Sequence, residues 1–170
     1  MIRRFLPAIL PILLLAANPR PGRAEHAKVN LEVTNASGEE VASFVDQTPP
    51  EHGKNPRPSI RARVGEPIKV RWAFTNVYPH KTLENVVVHF YVARQGMAGQ
   101  KEAPDLAVEA NIVFESAIEM DFKPGAKAGA RNTLSVAKAG NYLIRVESRG
   151  TGSDHEHFAA IDLIVEAKKR

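Results

Sequence analysis

The sequence predicts an all-β protein built as a single antiparallel β-sandwich of seven to nine strands. Apolar and polar residues alternate from Lys28 onward, and no long stretch has helical periodicity. Turn residues separate the alternating segments at the short spacing that sandwiches and barrels show. At 170 residues the chain is long enough for one domain with a substantial core. We therefore expect one sandwich over about residues 28–166.

The first 24 residues resemble a secretory leader. A cationic segment with Arg3 and Arg4 precedes an apolar run that is shorter than the ~20 residues needed to span a bilayer. Small residues at Gly22 and Ala24 predict cleavage after Ala24 and a periplasmic or extracellular location; an uncleaved anchor is the alternative. The predicted divisions are a signal peptide (1–24), an N-terminal strand with a Pro-rich linker or edge segment (25–58), the sandwich core (59–166) and a basic tail (167–170).

Each predicted strand follows from the same alternation. Val29, Leu31 and Val33 begin the series, and four prolines between Thr48 and Pro58 then indicate an extended linker or edge covering, because proline cannot donate to a ladder. Further strands are predicted over 60–64, 68–74, 86–92, 107–122 (one or two strands), 134–136, 142–146 and 161–165. The predicted core residues are Trp72, Phe74, Val88, Phe90, Tyr142, Ile144, Ile161 and Leu163.

Charge and cysteine content exclude several classes of function. Four of the 23 lysines and arginines lie in the first 24 residues, which leaves 19 cations against 19 acids in the mature chain. A neutral domain has no electrostatic attraction to nucleic acid, so we expect no nucleic-acid partner. The absence of cysteine excludes disulfides, thiol catalysis and thiolate-ligated metals.

Four short motifs resemble the disulfide-free Ig-like modules of the CARDB type. They are Thr75-Asn76, the strand from Asn85 to Phe90, the Pro124-Gly125 turn and the Gly140-Asn141-Tyr142 step. The last is similar to the tyrosine corner of Ig domains, with Ile144 where those domains have cysteine. The resemblance covers about residues 59–166 and implies an Ig-like sandwich. Modules of that kind mostly bind, adhere or space other domains.

The histidines near the last strand form the candidate metal site. Alternation places His155 and His157 on the core-facing side of that strand. If the strands follow Ig connectivity, the loop with Tyr78 and His80 reaches the same end of the sandwich. With Asp154, these imidazoles form a set of N and O ligands that suits Cu(II) or Zn(II). We treat the alternative, ordinary loop histidines, as open.

The other histidines have weaker interpretations. His89 shares its face with Val87 and Tyr91, which favours a role in cross-strand packing, and His52 has no identifiable partner. His26, together with acidic and histidine residues before the last strand, is similar to periplasmic copper-resistance sandwich proteins. The chain departs from that pattern because cleavage would leave Glu25 first and because Asp154 is followed at the second position by a glutamate.

Function is expected to be non-catalytic. Ser153, Asp154 and His155 are adjacent, but neighbouring residues point apart and cannot form a triad, so a hydrolase is the least favoured class. The leading prediction is an exported interaction module that presents loops or an edge strand to another exported or membrane-associated protein. The alternative is a periplasmic Cu- or Zn-binding protein that uses the histidine cluster.

Overall fold

Nine strands make up the protein in a computed structural model, of which residues 27–44, 57–152 and 157–168 are described. The strands are β1 (Ala27–Thr34), β2 (Glu40–Phe44), β3 (Ser59–Arg63), β4 (Ile68–Asn76), β5 (Leu83–Gln95), β6 (Ile112–Phe122), β7 (Lys127–Leu134), β8 (Gly140–Arg149) and β9 (His157–Glu166). Over these residues the only helical element is a 3-10 turn at Glu109–Asn111. The all-β prediction is confirmed, as is the number of strands.

The strands form two sheets. One has the order β2-β1-β4-β7, and the other has the order β3-β9-β8-β5-β6. Neighbouring strands are antiparallel except β3 and β9, which are parallel. Strand β4 therefore lies in one sheet while β5, β8 and β9 are neighbours in the other, as the predicted Ig connectivity requires.

The core lies between the two inward faces. All eight predicted core residues are at most 5% exposed. Trp72 of β4 stacks on Phe90 of β5 with ring centroids 6.0 Å apart, and Phe90 contacts Phe114 of β6 at 5.6 Å. These aromatic contacts join the two sheets and extend the core to the edge strand β6.

The outer face of the five-stranded sheet is partly covered by the connection between β5 and β6. Asp162 of β9, 1% exposed, anchors this connection by accepting hydrogen bonds from the Gly99 N–H at 2.7 Å and from the Gln95 amide at 2.8 Å. Leu106 of the connection packs over a second small apolar cluster of Tyr91, Ala93, Leu143 and Ala160. Burial on both faces explains why β5, β8 and β9 have long apolar runs as well as alternation.

The predicted tyrosine corner is present. The Tyr142 hydroxyl donates a hydrogen bond of 2.8 Å to the carbonyl of Lys138, four residues upstream. Gly140 in between has φ of 150°, a conformation that L side chains rarely adopt. The corner therefore fixes the entry of the chain into β8.

Three segments differ from the expected strands. Strand β2 (Glu40–Phe44) lies where only one N-terminal strand and a linker or edge segment were expected. Strand β7 covers Lys127–Leu134 instead of a short strand near Leu134, and a 3-10 turn precedes β6. Strand β7 is rich in alanine and polar residues and includes a glycine, so its alternation lacks the large apolar side chains that mark a half-buried strand. Strand β7 forms nevertheless because it pairs with β4 through backbone hydrogen bonds, which do not depend on the size of its side chains.

Replacing Trp72 by alanine should lower the free energy of unfolding by ~3–5 kcal/mol, because the change leaves a cavity between the sheets. Urea unfolding followed by far-UV circular dichroism measures this, with Thr133→Ala on the exposed face of β7 as the control. A loss equal to that of the control would contradict the central position of Trp72.

Candidate functional site

The β4–β5 loop, which carries His80, and the described first residues of the β8–β9 loop lie at the same end of the sandwich. His80 is exposed in the β4–β5 loop. The next residue, Lys81, approaches Gly152 at the start of the β8–β9 loop, with its Nζ 3.4 Å from the position of a Cβ there. The juxtaposition of the two loops agrees with the topology that the metal hypothesis needs.

The predicted ligands themselves differ in their surroundings. His157 is fully buried at the start of β9, and its Nδ1 lies 3.4 Å from the Thr151 hydroxyl. Its side chain faces the core together with Ala159 and Ile161, as alternation predicts. Asp154 and His155 lie outside the described residues. Within the described ranges, no group of three or more His, Asp or Glu side chains has the geometry to hold a metal ion.

His89 belongs to a charged network on the outer face of the five-stranded sheet, which fits its predicted role in cross-strand packing. Its Nε2 lies 2.8 Å from Glu115 of β6, and its Nδ1 lies 3.5 Å from Glu147 of β8. The Glu147 carboxylate, only 5% exposed, also contacts Arg145 at 2.7 Å and Arg149 at 3.1 Å. The network therefore links β8, β5 and β6 across the sheet.

The two sides of the sandwich differ in how their edges are closed. On one side, β1 and β2 both contact β9, and the Ser43 hydroxyl accepts a hydrogen bond from the Ala160 N–H. On the other side lie the edge strands β6 and β7, which have no comparable contact with each other. No described strand pairs with the outward edge of either one. We call this the open side.

Strand β6 exposes apolar side chains on the open side. The exposed fractions are 37% for Val113, 37% for Ile118 and 43% for Met120. Ile118 and Met120 share the inward-facing parity of Phe122, which is fully buried. Ile118 and Met120 are thus core-facing residues that stay partly uncovered, whereas Phe122 at the end of β6 packs against Phe74 of β4.

Hydrogen-bond alternation identifies the unpaired backbone groups. The Asp162 N–H donates to the Pro58 carbonyl beside β3, so the backbone groups of the even-numbered residues of β9 point toward β3. The direction of these groups alternates along each strand. Following the pairing of β9 with β8, β8 with β5 and β5 with β6 shows that the even-numbered residues of β6 direct their backbone groups toward β5. On the other sheet, the Asn76 N–H donates to Ala126, which directs the even-numbered residues of β7 toward β4. From Phe114 to Phe122, beyond the β-bulge at the start of β6, the odd-numbered residues of β6 therefore point their N–H and C=O groups outward. The odd-numbered residues of β7 do the same, so both strands present unpaired backbone groups on the open side.

The same odd-numbered residues carry opposite charges on the two strands. Exposed Glu115 and Glu119 lie on β6, whereas exposed Lys127 and Arg131 lie on β7. The sequence predicts an available edge strand but does not identify which strand it is. The open side could be recognised only from the order of the strands, because an edge strand and a central strand share one alternation pattern.

Comparisons with known proteins assign no family to the chain. No protein-family profile matches the chain, and no curated protein matches it significantly. The chain is similar to the C-terminal domain of Wzt (12% identity, 85% of this chain and 75% of that chain, TM-score 0.43). It is also similar to the PmoD soluble domain from Methylocystis sp. ATCC 49242 (Rockwell), with 12% identity, 81% and 90% coverage and a TM-score of 0.39.

A third similar structure is a chitin binding domain from Burkholderia pseudomallei (13% identity, 65% of this chain and 57% of that chain, TM-score 0.37). Likeness at this level assigns neither an activity nor a substrate. The architecture defines the class, a two-sheet β-sandwich domain, and no profile places the chain in the CARDB family. Within the described ranges, no helix has the length and apolarity needed to cross a bilayer.

Replacing Glu147 by alanine should lower the free energy of unfolding by about 1.5–3 kcal/mol, because hydrogen bonds to a charged group are lost and two arginines remain beside each other. Chemical denaturation measures this change. Glu84→Ala, at an exposed glutamate, is the matched control. Equal stability of the two variants would show that the network contributes nothing to folding.

Proposed function

We propose that the protein is an exported, non-catalytic interaction module that binds another exported or membrane-associated protein by strand addition at its open side. The observation that carries this proposal is β6, an eleven-residue edge strand whose outward backbone groups have no described partner and whose apolar side chains are exposed. Strand addition satisfies such backbone groups and covers the apolar residues beside them.

Export is the part of the proposal that depends on the leader. The cationic and apolar segments of residues 1–24 support secretion, with cleavage after Ala24 and release into the periplasm or the extracellular space. These residues lie outside the described ranges, so the proposal rests on their sequence alone. Mass spectrometry of the exported chain tests it, because cleavage leaves Glu25 as the first residue.

A photo-crosslinking amino acid at Val113 tests the interaction. Irradiation of producing cells should yield one adduct of defined mass, since this side chain adjoins the unpaired edge. Ala117→Pro should abolish the adduct, because it removes an outward-pointing N–H and leaves the hydrogen bonds to β5 intact. Ala117→Ser, which keeps the N–H, should retain the adduct.

Two further measurements make this test specific. Circular dichroism of Ala117→Pro and Ala117→Ser should give the same β spectrum, which separates loss of binding from loss of fold. The same crosslinker at Lys69, on the exposed face of the inner strand β4, should give no adduct. Adducts of equal yield with the proline and serine variants would refute strand addition at β6.

A second candidate function is the binding of Cu(II) or Zn(II) at the end that carries His80. The observation that favours it is the approach of the β4–β5 loop to Gly152, next to the segment with Asp154 and His155. In this proposal His80, Asp154 and His155 supply the ligands from the loops. The fully buried His157 contributes from the first position of β9.

Calorimetric titration with Cu(II) and with Zn(II) tests the metal proposal. The purified chain should bind one ion, and His80→Ala/His155→Ala should lose this binding. His52→Ala, in the proline-rich segment, is the control that should bind as the unaltered chain does. Binding should weaken on acidification because protonated imidazole cannot ligate a metal. Identical titrations of the double variant and the control would leave these histidines as ordinary loop residues.

A further inference from the structure

We propose that the partner at the open side is a second copy of this chain, with β6 of each copy pairing antiparallel to β7 of the other. This inference rests on the proposed function and names its partner. The two edges belong to different sheets and lie on the same side of the sandwich, opposite the side that β2 and β9 close. Each sheet of one copy would then continue into a sheet of the other.

Charge complementarity selects the register of this pairing. Glu115 and Glu119 are four residues apart on β6, and Lys127 and Arg131 are four residues apart on β7. Antiparallel pairing can therefore place Glu115 opposite the partner's Arg131 and Glu119 opposite the partner's Lys127. These are also the residues whose backbone groups point outward, so each ladder gains about six hydrogen bonds together with two ion pairs.

Side-chain sizes on the inner face agree with the same register. Ile118 would lie opposite the partner's Ala128, and Met120 would lie opposite the partner's Ala126. The large exposed residues of β6 thus meet alanines in β7 and in the residue just before it, which lets the core continue from one copy to the next. Pairing in this register would bury the apolar surface that each isolated copy exposes.

Strand direction makes the arrangement a closed dimer. Phe122 pairs with Leu83 and Lys127 pairs with Thr75, so β6 ends and β7 begins at the same end of the sandwich. Rotation by 180° about an axis parallel to the strands therefore brings β6 against the partner's β7 and, simultaneously, β7 against the partner's β6. Both open edges close in one isologous contact, and no edge remains on this side for a third copy.

Pairing of β6 with its own counterpart is disfavoured. An antiparallel β6–β6 contact would place the outward acids Glu115, Glu119 and Asp121 against the same acids of the other copy. Like charges that face each other across a ladder are destabilising. The acidic edge of β6 therefore repels a second β6 edge and attracts the basic edge of β7.

A charge-swap experiment tests the dimer. The first variant carries Glu115→Lys/Glu119→Lys, and the second carries Lys127→Glu/Arg131→Glu. Sedimentation equilibrium should show a dimer for the unaltered chain, with a dissociation constant raised about tenfold or more in each variant alone, because all four ion pairs become repulsive. An equimolar mixture should recover dimerisation, since both ladders then unite opposite charges.

The remaining outcomes decide between explanations. A monomeric unaltered chain, or a mixture that stays monomeric, would overturn the dimer. In that case a Val113 crosslink to a protein of different mass would still support the interaction module, and absence of any crosslink would refute both. Recovery by the mixture with circular dichroism spectra equal to that of the unaltered chain excludes misfolding as the cause of the single-variant losses.

Discussion

The alternation of side chains along each strand is the constraint on which both the core and the open side depend. In a pleated strand, the residues that share one face also direct their N–H and C=O groups toward the same side. Even-numbered residues of β6 therefore face the core and direct their backbone groups toward β5. The backbone groups of the odd-numbered residues from Glu115 to Asp121 point outward and have no described partner. One sequence period thus determines burial, surface charge and the chemistry of the edge together.

The edges of the sandwich are managed in two different ways. Where β2 contacts β9, the Ser43 hydroxyl accepts a hydrogen bond from the Ala160 N–H, which lies beyond the part of β9 that pairs with β3. On the open side, no described segment covers the edges, and charge protects them instead. Acids on β6 and cations on β7 disfavour pairing between two β6 strands or between two β7 strands. The same charges leave the unlike edges attractive to each other, so in the proposed dimer protection against aggregation and selection of the partner would have one physical cause.

Alternation alone was sufficient to predict the two-sheet class and the eight buried core residues, because burial is encoded within each strand. The tyrosine corner was equally visible, since Gly140 and Tyr142 are close in sequence. The full length of β7 is not apparent from the sequence, because alanines and polar residues form its alternation. The network around Glu147 joins side chains of β5, β6 and β8. It could not be predicted from the sequence, because the sequence does not show that these three strands are neighbours. The role of Asp154 and His155 as metal ligands stays a prediction, because both lie outside the described residues.

Glu115 connects the interior network to the open side. Its Oε1 lies 2.8 Å from His89, which in turn contacts the nearly buried Glu147, so β6 is held by side chains as well as by its ladder to β5. A carboxylate accepts several hydrogen bonds, so in the proposed dimer Glu115 could also pair with a cation on the added strand. An edge whose side chains are already ordered loses less conformational entropy on pairing. In the proposed dimer, the buried carboxylate of β8 would thereby favour association at an edge two strands away.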